Sequence, residues 1–184
     1  MCIMDKEQLQ IGMGIFNIRQ LGENEASLYK AIRLEAIQKE PAMFRCSTPA
    51  EADLTDAQWQ DRIKHPRAVF GLFENDNLIG MTSILLLNDK EGYLGQSYIR
   101  KEYRGLGLSA LLYKIRTAWA SNLQLKQLKV SHRERNTISK AAILRSGFKY
   151  SYRESVNWLD GTTEDVLYYV LDVDQEKNTT FREV

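Results

Sequence analysis

The sequence predicts a mixed α/β domain, with a mainly antiparallel sheet of six to seven strands and helices on both faces. Three observations carry this. Residues 68–73 and 78–87 are strand-like runs joined by the polar turn Glu74-Asn75-Asp76-Asn77, which reads as a hairpin. A further run at 93–99 leads through Arg104-Gly105-Leu106-Gly107-Leu108-Ser109 into a helix, where Leu108, Leu111, Leu112, Ile115 and Trp119 make one apolar stripe. Residues 127–173 then read as strand, helix, strand, strand, which is not a doubly wound series.

Residues 1–14 show little pattern and are treated as an N-terminal extension, with an extra helix as the alternative; a short strand is expected at 15–19. Leu28, Ile32 and Ala36, flanked by Tyr29 and Ile37, mark an amphipathic helix over 25–39 that Pro41 ends. Residues 42–53 lack periodicity. Thr55-x-x-Gln58 is a capping-box pattern opening a short helix with Trp59 and Ile63. A strand at 127–132 precedes a helix over 136–146, with Asn136 or Thr137 as its N-cap and Gly147 suited to a left-handed C-terminal position. Strands at 148–158 and 166–173 follow, with Asp160-Gly161 in the turn between them. Residues 15–173 form one domain, and 174–184 are a polar tail.

A chain of 184 residues suits one well-buried domain. With 25 Lys+Arg against 24 Asp+Glu it lacks the basic excess of a nucleic-acid surface. Cys2 and Cys46 are the only cysteines, and no Cys/His cluster has metal-ligand spacing, so neither a disulfide framework nor a metal is expected. No apolar run has membrane-spanning length, and Asp5, Lys6 and Glu7 stand where a signal peptide needs an apolar core. The expectation is a cytoplasmic protein, monomeric or homodimeric, with no membrane partner.

The turn from Arg104 to Ser109 is the chemically informative stretch. Two glycines at a strand-to-helix junction let backbone N–H groups approach a ligand, and the helix start adds unpaired donors and a positive dipole end. Such a junction suits a phosphate, with Arg104 as a fixed charge beside it. Gly105-x-Gly107-x-x-Ala110 also satisfies a dinucleotide fingerprint literally, but Arg100, Lys101, Glu102, Tyr103 and Arg104 intervene where an apolar strand should end directly in the turn. A nucleotide P-loop fails because no Gly-Lys-Ser/Thr follows.

The run from Ser97 to Ser109, with Asn136 and then Gly147-Phe148 eleven and twelve positions further on, resembles the GCN5-related N-acetyltransferases, whose acyl-CoA signature is Arg/Gln-x-x-Gly-x-Gly/Ala. The resemblance is specific over 68–148, and the preceding helix pair resembles the family's substrate-side segment. It implies central strands splayed around acetyl-CoA and transfer of an acetyl group to a primary amine of a small molecule, peptide or protein. By resemblance, the N–H groups of Gly105, Leu106, Gly107, Leu108 and Ser109 would hold the CoA pyrophosphate and Arg104 would orient it. Ile99 and Lys101 would line the pantetheine, and Asn136 would contact the cosubstrate's amide chain or simply cap its helix. Ser109 replaces the usual Gly or Ala.

The acid–base groups depart from the family pattern. Many members carry a leaving-group tyrosine seven residues after the asparagine, where this chain has Ile143, and those acetylating protein N-termini often carry a glutamate five residues before it, where this chain has Ser131. The catalytic groups are therefore open. His132, Tyr98 and Tyr150 are the weak candidates, with Tyr152, Glu91, Glu102 and Glu134 behind them. His132 is expected to be packed or at the surface, since strand alternation turns it away from its neighbours. Phe44 and Trp59 would border the acceptor pocket or pack in the core. The alternative to an enzyme is an acyl-CoA sensor that has kept the cradle and lost catalysis.

Overall fold

Among the described residues the sheet has eight strands, more than the six to seven the sequence predicts, because a further short strand forms before the one expected at 15–19. β1 (Gln10–Met13) and β2 (Phe16–Gln20) make a hairpin turning at Gly14, whose φ is +61°. Part of the expected N-terminal extension is thus an edge strand, and residues 1–8 lie outside the described ones. The structure, a computed structural model, describes residues 9–173; the tail lies beyond them. β3 (Arg67–Glu74), β4 (Asn77–Leu86), β5 (Glu91–Ile99), β6 (Gln127–Arg133), β7 (Lys149–Asn157) and β8 (Thr163–Asp172) complete the sheet, in the order β1-β2-β3-β4-β5-β6-β8-β7. Every pair is antiparallel except β5 with β6.

Helices α1 (Ala26–Lys39) and α2 (Asp56–Arg62) cover one face. Tyr29, Ile32, Ala36 and Trp59 pack there with Val69, Phe73, Met81 and Tyr98 of the sheet. The capping box forms in both halves: Thr55 Oγ1 accepts from Gln58 N at 3.3 Å, and Gln58 Oε1 accepts from Thr55 N at 2.8 Å. Helices α3 (Ser109–Asn122) and α4 (Thr137–Arg145) cover the other face. The stripe read on α3 is buried there as expected, with Leu111, Leu112 and Ile115 packed on Phe70, Ile84 and Leu94. Each fully buried side chain of this kind contributes about 1.5–3 kcal/mol, so apolar burial fixes α3 against the sheet. Gly147 ends α4 at φ +87°.

The segment 40–54, aperiodic in sequence, is held by long-range contacts. It forms two 3-10 turns, Pro41–Met43 and Glu51–Asp53, and an isolated bridge between Arg45 and Trp158. This brings it across the α1/α2 face to the β7–β8 hairpin.

Candidate active site

Strands β5 and β6 separate in the middle of the sheet. Their parallel pairing runs only from Glu91↔Gln127 to Leu94↔Val130, while β5 stays paired with β4 to Ile99 and β6 with β8 to Arg133. A bulge in β5 accompanies the parting: Gln96 and Ser97 lie opposite the single residue Thr82, and Gln96 has the left-handed φ of +54°. Such a backbone costs on the order of 1–3 kcal/mol and persists where its surroundings fix it. They do so from both faces. Gln96 Oε1 accepts from Tyr29 OH of α1 at 3.0 Å, while Ser97 Oγ lies 2.9 Å from Thr82 Oγ1 and accepts from Arg116 Nη1 of α3 at 3.2 Å. Arg116 is wholly buried and stacks over Tyr113, and burial pulls its pKa down to about 10.

On the α3/α4 face, β5 leads through a 3-10 turn, Lys101–Tyr103, into the glycine stretch. Gly105 and Gly107 have φ of +81° and +78°, and an added Cβ at either would meet nothing within 4 Å. Among the described residues, the N–H groups of Gly105, Leu106, Gly107 and Leu108 donate no hydrogen bond. Leu108, buried in the core, anchors the turn and leaves these donors in the open. Consecutive unpaired N–H groups at a helix start are suited to several anionic oxygens at once.

The residues expected around this turn are only partly arranged as the sequence suggests. Lys101 is not on the strand, which ends at Ile99, and the Ile99 carbonyl accepts from Arg104 Nε at 2.8 Å. Arg104 also pairs with Glu40 at 2.6 Å, so its charge is turned towards the end of α1. Asn136 caps α4, its Oδ1 accepting from Ser139 N at 3.0 Å. Its amide Nδ2 contacts Met43 Sδ at 3.1 Å. Ile143 is buried in the core.

On the α1/α2 face, hydroxyls converge where the strands part. Tyr93 of β5 and Ser131 of β6 face each other with their oxygens 2.6 Å apart. Arg45, from segment 40–54, donates to Ser131 Oγ at 2.6 Å, Tyr93 OH at 3.1 Å and Tyr168 OH of β8 at 2.8 Å. Tyr168 in turn donates to Glu154 Oε1 at 2.5 Å and stacks on Tyr152. Burial and that bond to Glu154 push the Tyr168 phenol up to about 12, against the opposing charge of Arg45. Strand alternation alone could have put Tyr93, Ser131 and Tyr168 on one face. Nothing in segment 40–54 announces Arg45.

The three candidates named from sequence lie elsewhere. His132 is buried on the opposite face, stacked on Tyr169 with Nε2 3.1 Å from its hydroxyl and Nδ1 2.6 Å from the Arg133 carbonyl oxygen, and burial pushes its pKa down. Tyr150 is half exposed on β7, edge-on to Tyr169. Tyr98 lies under α1 and donates to Glu35 at 2.9 Å, and burial together with that bond raises its pKa to about 12. None of the three hydrogen-bonds to Arg45, Tyr93, Ser131 or Tyr168. Phe44 and Trp59 are both buried. Among the described residues, no group of three or more His, Cys, Asp or Glu is placed to hold a metal.

Glu35 also receives Arg100 through Nε at 2.9 Å and Nη2 at 2.8 Å, which with Tyr98 lowers its pKa from 4.5 to about 2. A carboxylate depressed in this way stabilises the fold fully above about pH 4.5 and loses that contribution as the pH falls towards 2. Glu35→Gln should therefore lower stability near pH 7 by about 1–2 kcal/mol, allowing for solvent screening of a partly exposed pair. Melting curves of both proteins should converge as the pH is lowered from 7 to 3; a gap that stays constant would contradict this role.

A sheet opened between two parallel strands, with unpaired amides on one face and a hydroxyl-lined wall on the other, is the frame of a group-transfer enzyme. The Acetyltransferase (GNAT) family model matches residues 32–148, and the chain belongs to that family. Solved structures of similar fold include the ribosomal-protein-S5-alanine acetyltransferase of Vibrio fischeri, 16% identical over 90% of this chain and 97% of that one, with a TM-score of 0.74. Another is yncA of Salmonella typhimurium with its cofactor acetyl-CoA, 14% identical over 89% and 96%, TM-score 0.72. A third, also from Salmonella typhimurium, modifies the N-terminal serine of ribosomal protein L7/L12; it is 17% identical over 90% and 100%, TM-score 0.69. No curated protein matches the chain.

Proposed function

We propose that this enzyme transfers the acetyl group of acetyl-CoA to a primary amine of a small molecule, peptide or protein. The observation that carries the reading is the parting of β5 from β6 beyond Leu94↔Val130, on the very strand that feeds the glycine turn. One continuous stretch of chain thereby joins a cradle for the pyrophosphate to an opening for the thioester. The cradle fits its ligand: Gly105 and Gly107 leave free space where a Cβ would stand, and four successive N–H groups lack acceptors. In this reading Gly105, Leu106, Gly107, Leu108 and Ser109 hold the pyrophosphate, Ile99 and Lys101 flank the pantetheine, and the Asn136 amide stands beside it. Arg104 contributes by fixing the turn to Glu40 and Ile99.

Bound acetyl-CoA supplies the activated acyl group, and the chain's residues position the two reactants and handle the protons. The amine arrives from the α1/α2 face, among Tyr93, Ser131 and Tyr168. A lysine-type amine, with a reference pKa of about 10.4, must lose a proton before attack. Tyr168, itself one of the hydroxyls around Arg45, donates to the exposed Glu154, and this carboxylate offers the proton a way out to solvent. Holding reactants in place can supply much of the acceleration.

The decisive experiment incubates the protein with acetyl-CoA and a panel of amines, amino acids, polyamines and peptides, and follows release of free thiol. Release that depends on one acceptor class supports the reading, and tight acetyl-CoA binding without turnover on any acceptor would favour a sensor instead. N-terminal peptides of ribosomal proteins should be poor acceptors beside the best small amine, since Ser131 stands where a glutamate commonly serves such substrates. With Ile143 buried in the core, no phenol named from the sequence is an indispensable acid: Tyr98→Phe, Tyr150→Phe and Tyr152→Phe should each lower the single-turnover rate less than about tenfold, against the 10²- to 10⁴-fold typical of a true side-chain acid. A hundredfold loss in any one, at unchanged acetyl-CoA affinity, would identify it as that acid.

A further inference from the structure

The charges on the acceptor face do not balance. Arg33, Arg62, Arg100, Arg104 and Arg133 each have a carboxylate within 4 Å. Arg45 and Arg67, both half-buried, have none among the described residues. Among the described residues the Arg45 guanidinium donates only to the hydroxyls of Tyr93, Ser131 and Tyr168, whose ring lies 5.3 Å away, and Arg67 only to Ser83 Oγ at 3.4 Å.

These two guanidinium groups border one place. Ser83 pairs with Gly95, and Arg67 with Leu85, which pairs with Tyr93, so Arg67, on Ser83, lies to the β3 side of Gly95, while Arg45, on Tyr93 and Ser131, lies to its β6 side. An added Cβ at Gly95 would touch only the Tyr93 ring, at 3.5 Å, which leaves open space above this residue at the point where β5 leaves β6.

A second observation concerns hydrogen-bond supply. Arg33 is about 95% buried and holds Glu51 with two of its nitrogens, yet its Nη1 has no acceptor among the described residues. Its guanidinium lies over the ring of Phe44, the residue before Arg45. Trp59 Nε1, on the same face, is likewise buried without an acceptor. Every unmet group here is a donor. Half-buried cations with no carboxylate in contact are costly, and Arg67, with Glu51 acting only at a distance and Arg33 and Arg62 also nearby, is left with its charge incompletely matched.

Building on the transferase reading above, we infer that the acceptor is an amine whose carrier bears a carboxylate, bound between Arg45 and Arg67 over Gly95, so that its amino group reaches the opening beside Tyr93 and Ser131. A planar carboxylate can accept two parallel bonds from one guanidinium, and charge-assisted bonds of this kind are about twice as strong as neutral ones. Free amino acids and peptides with an acidic residue next to the N-terminus both satisfy this chemistry.

The test compares matched pairs: an amino acid with its carboxamide, and an acidic N-terminal peptide with its amide counterpart. Binding is titrated in the presence of CoA, and acetyl transfer is measured separately. In at least one pair the acid should bind about 10- to 100-fold tighter than the amide, and that ratio should fall towards one in Arg45→Gln and Arg67→Gln. The pair that shows the preference tells a small amino acid from a peptide. Equal binding of acid and amide, no binding of any acid, or a preference indifferent to both substitutions overturns the inference. Should Arg45→Gln fail to fold, the unsubstituted protein and Arg67→Gln still decide. Selective binding of the acid without acetyl transfer would uphold the anion site while ending the transferase reading, and transfer at equal efficiency to acid and amide would do the reverse.

Discussion

Gly107→Ala should weaken acetyl-CoA binding by about 100-fold while leaving the fold intact. The size follows from losing roughly two charge-assisted hydrogen bonds, once a methyl group stands between the pyrophosphate and the N–H groups of the turn. The space is free in the protein itself, with nothing within 4 Å of the added Cβ, so the methyl meets no neighbour until the ligand arrives. The cost to stability is confined to a φ of +78°, which for alanine amounts to about 1 kcal/mol, or a few degrees in melting temperature for a chain of this size. Calorimetric titration and a thermal melt on the same sample separate the two effects. Unchanged affinity in a folded variant would remove the turn from the binding site.

Arg133→Met should cause the largest loss of stability, about 3–5 kcal/mol and thus roughly 10 °C in melting temperature. The Arg133 guanidinium is 1% exposed and donates to Glu164 at 2.5 Å, Asp160 at 2.7 Å, the Ala42 carbonyl at 2.8 Å and the Thr162 hydroxyl, and it lies over the Trp158 ring. Removing it leaves these acceptors facing one another, with only the more exposed Arg135 still paired to both carboxylates. The directed fork of donors is the reason Arg133→Lys should rescue little, since one ammonium cannot reach four acceptors set around a plane. The bonds from Thr162 and Arg133 hold Asp160 well below the usual carboxylate range, so the difference between the native protein and Arg133→Met should shrink in acid as that carboxylate is protonated. A loss below 1 kcal/mol would show the cluster to be dispensable.

Which parts of this architecture are legible in the sequence depends on how far apart the interacting residues lie. The Thr55 box, the Asn136 cap, Gly147 and the glycine turn are built from neighbours a few positions away, and each can be read directly. The α3 stripe is legible because its period matches the helix. The hydroxyl cluster is not, since Arg45 meets Ser131 across 86 positions and Tyr168 across 123. The same is true of Tyr98: a tyrosine near the signature turn invites a catalytic role, and only the fold reveals that Glu35, 63 residues earlier, already occupies its hydroxyl. For His132 the alternation argument is sufficient, as its packing on Tyr169 bears out. The strand β1 has no local signature because its register comes entirely from β2.

The fastening of segment 40–54 also sets an order of assembly. Its bridge to Trp158, its hydrogen bond from Cys46 N to Asn157 O and its hold on Arg133 through the Ala42 carbonyl are all contacts with chain made at least 91 residues later. The strand, turn and helix of the cradle are consecutive in the chain, within 91–122. Contacts between distant positions carry the greater loop-closure cost and form late, so the fastening of segment 40–54 follows the local turns and helices. On the proposed reading, the wall that receives the amine is therefore the last part of the site to be made, and it arrives with the final strand pair.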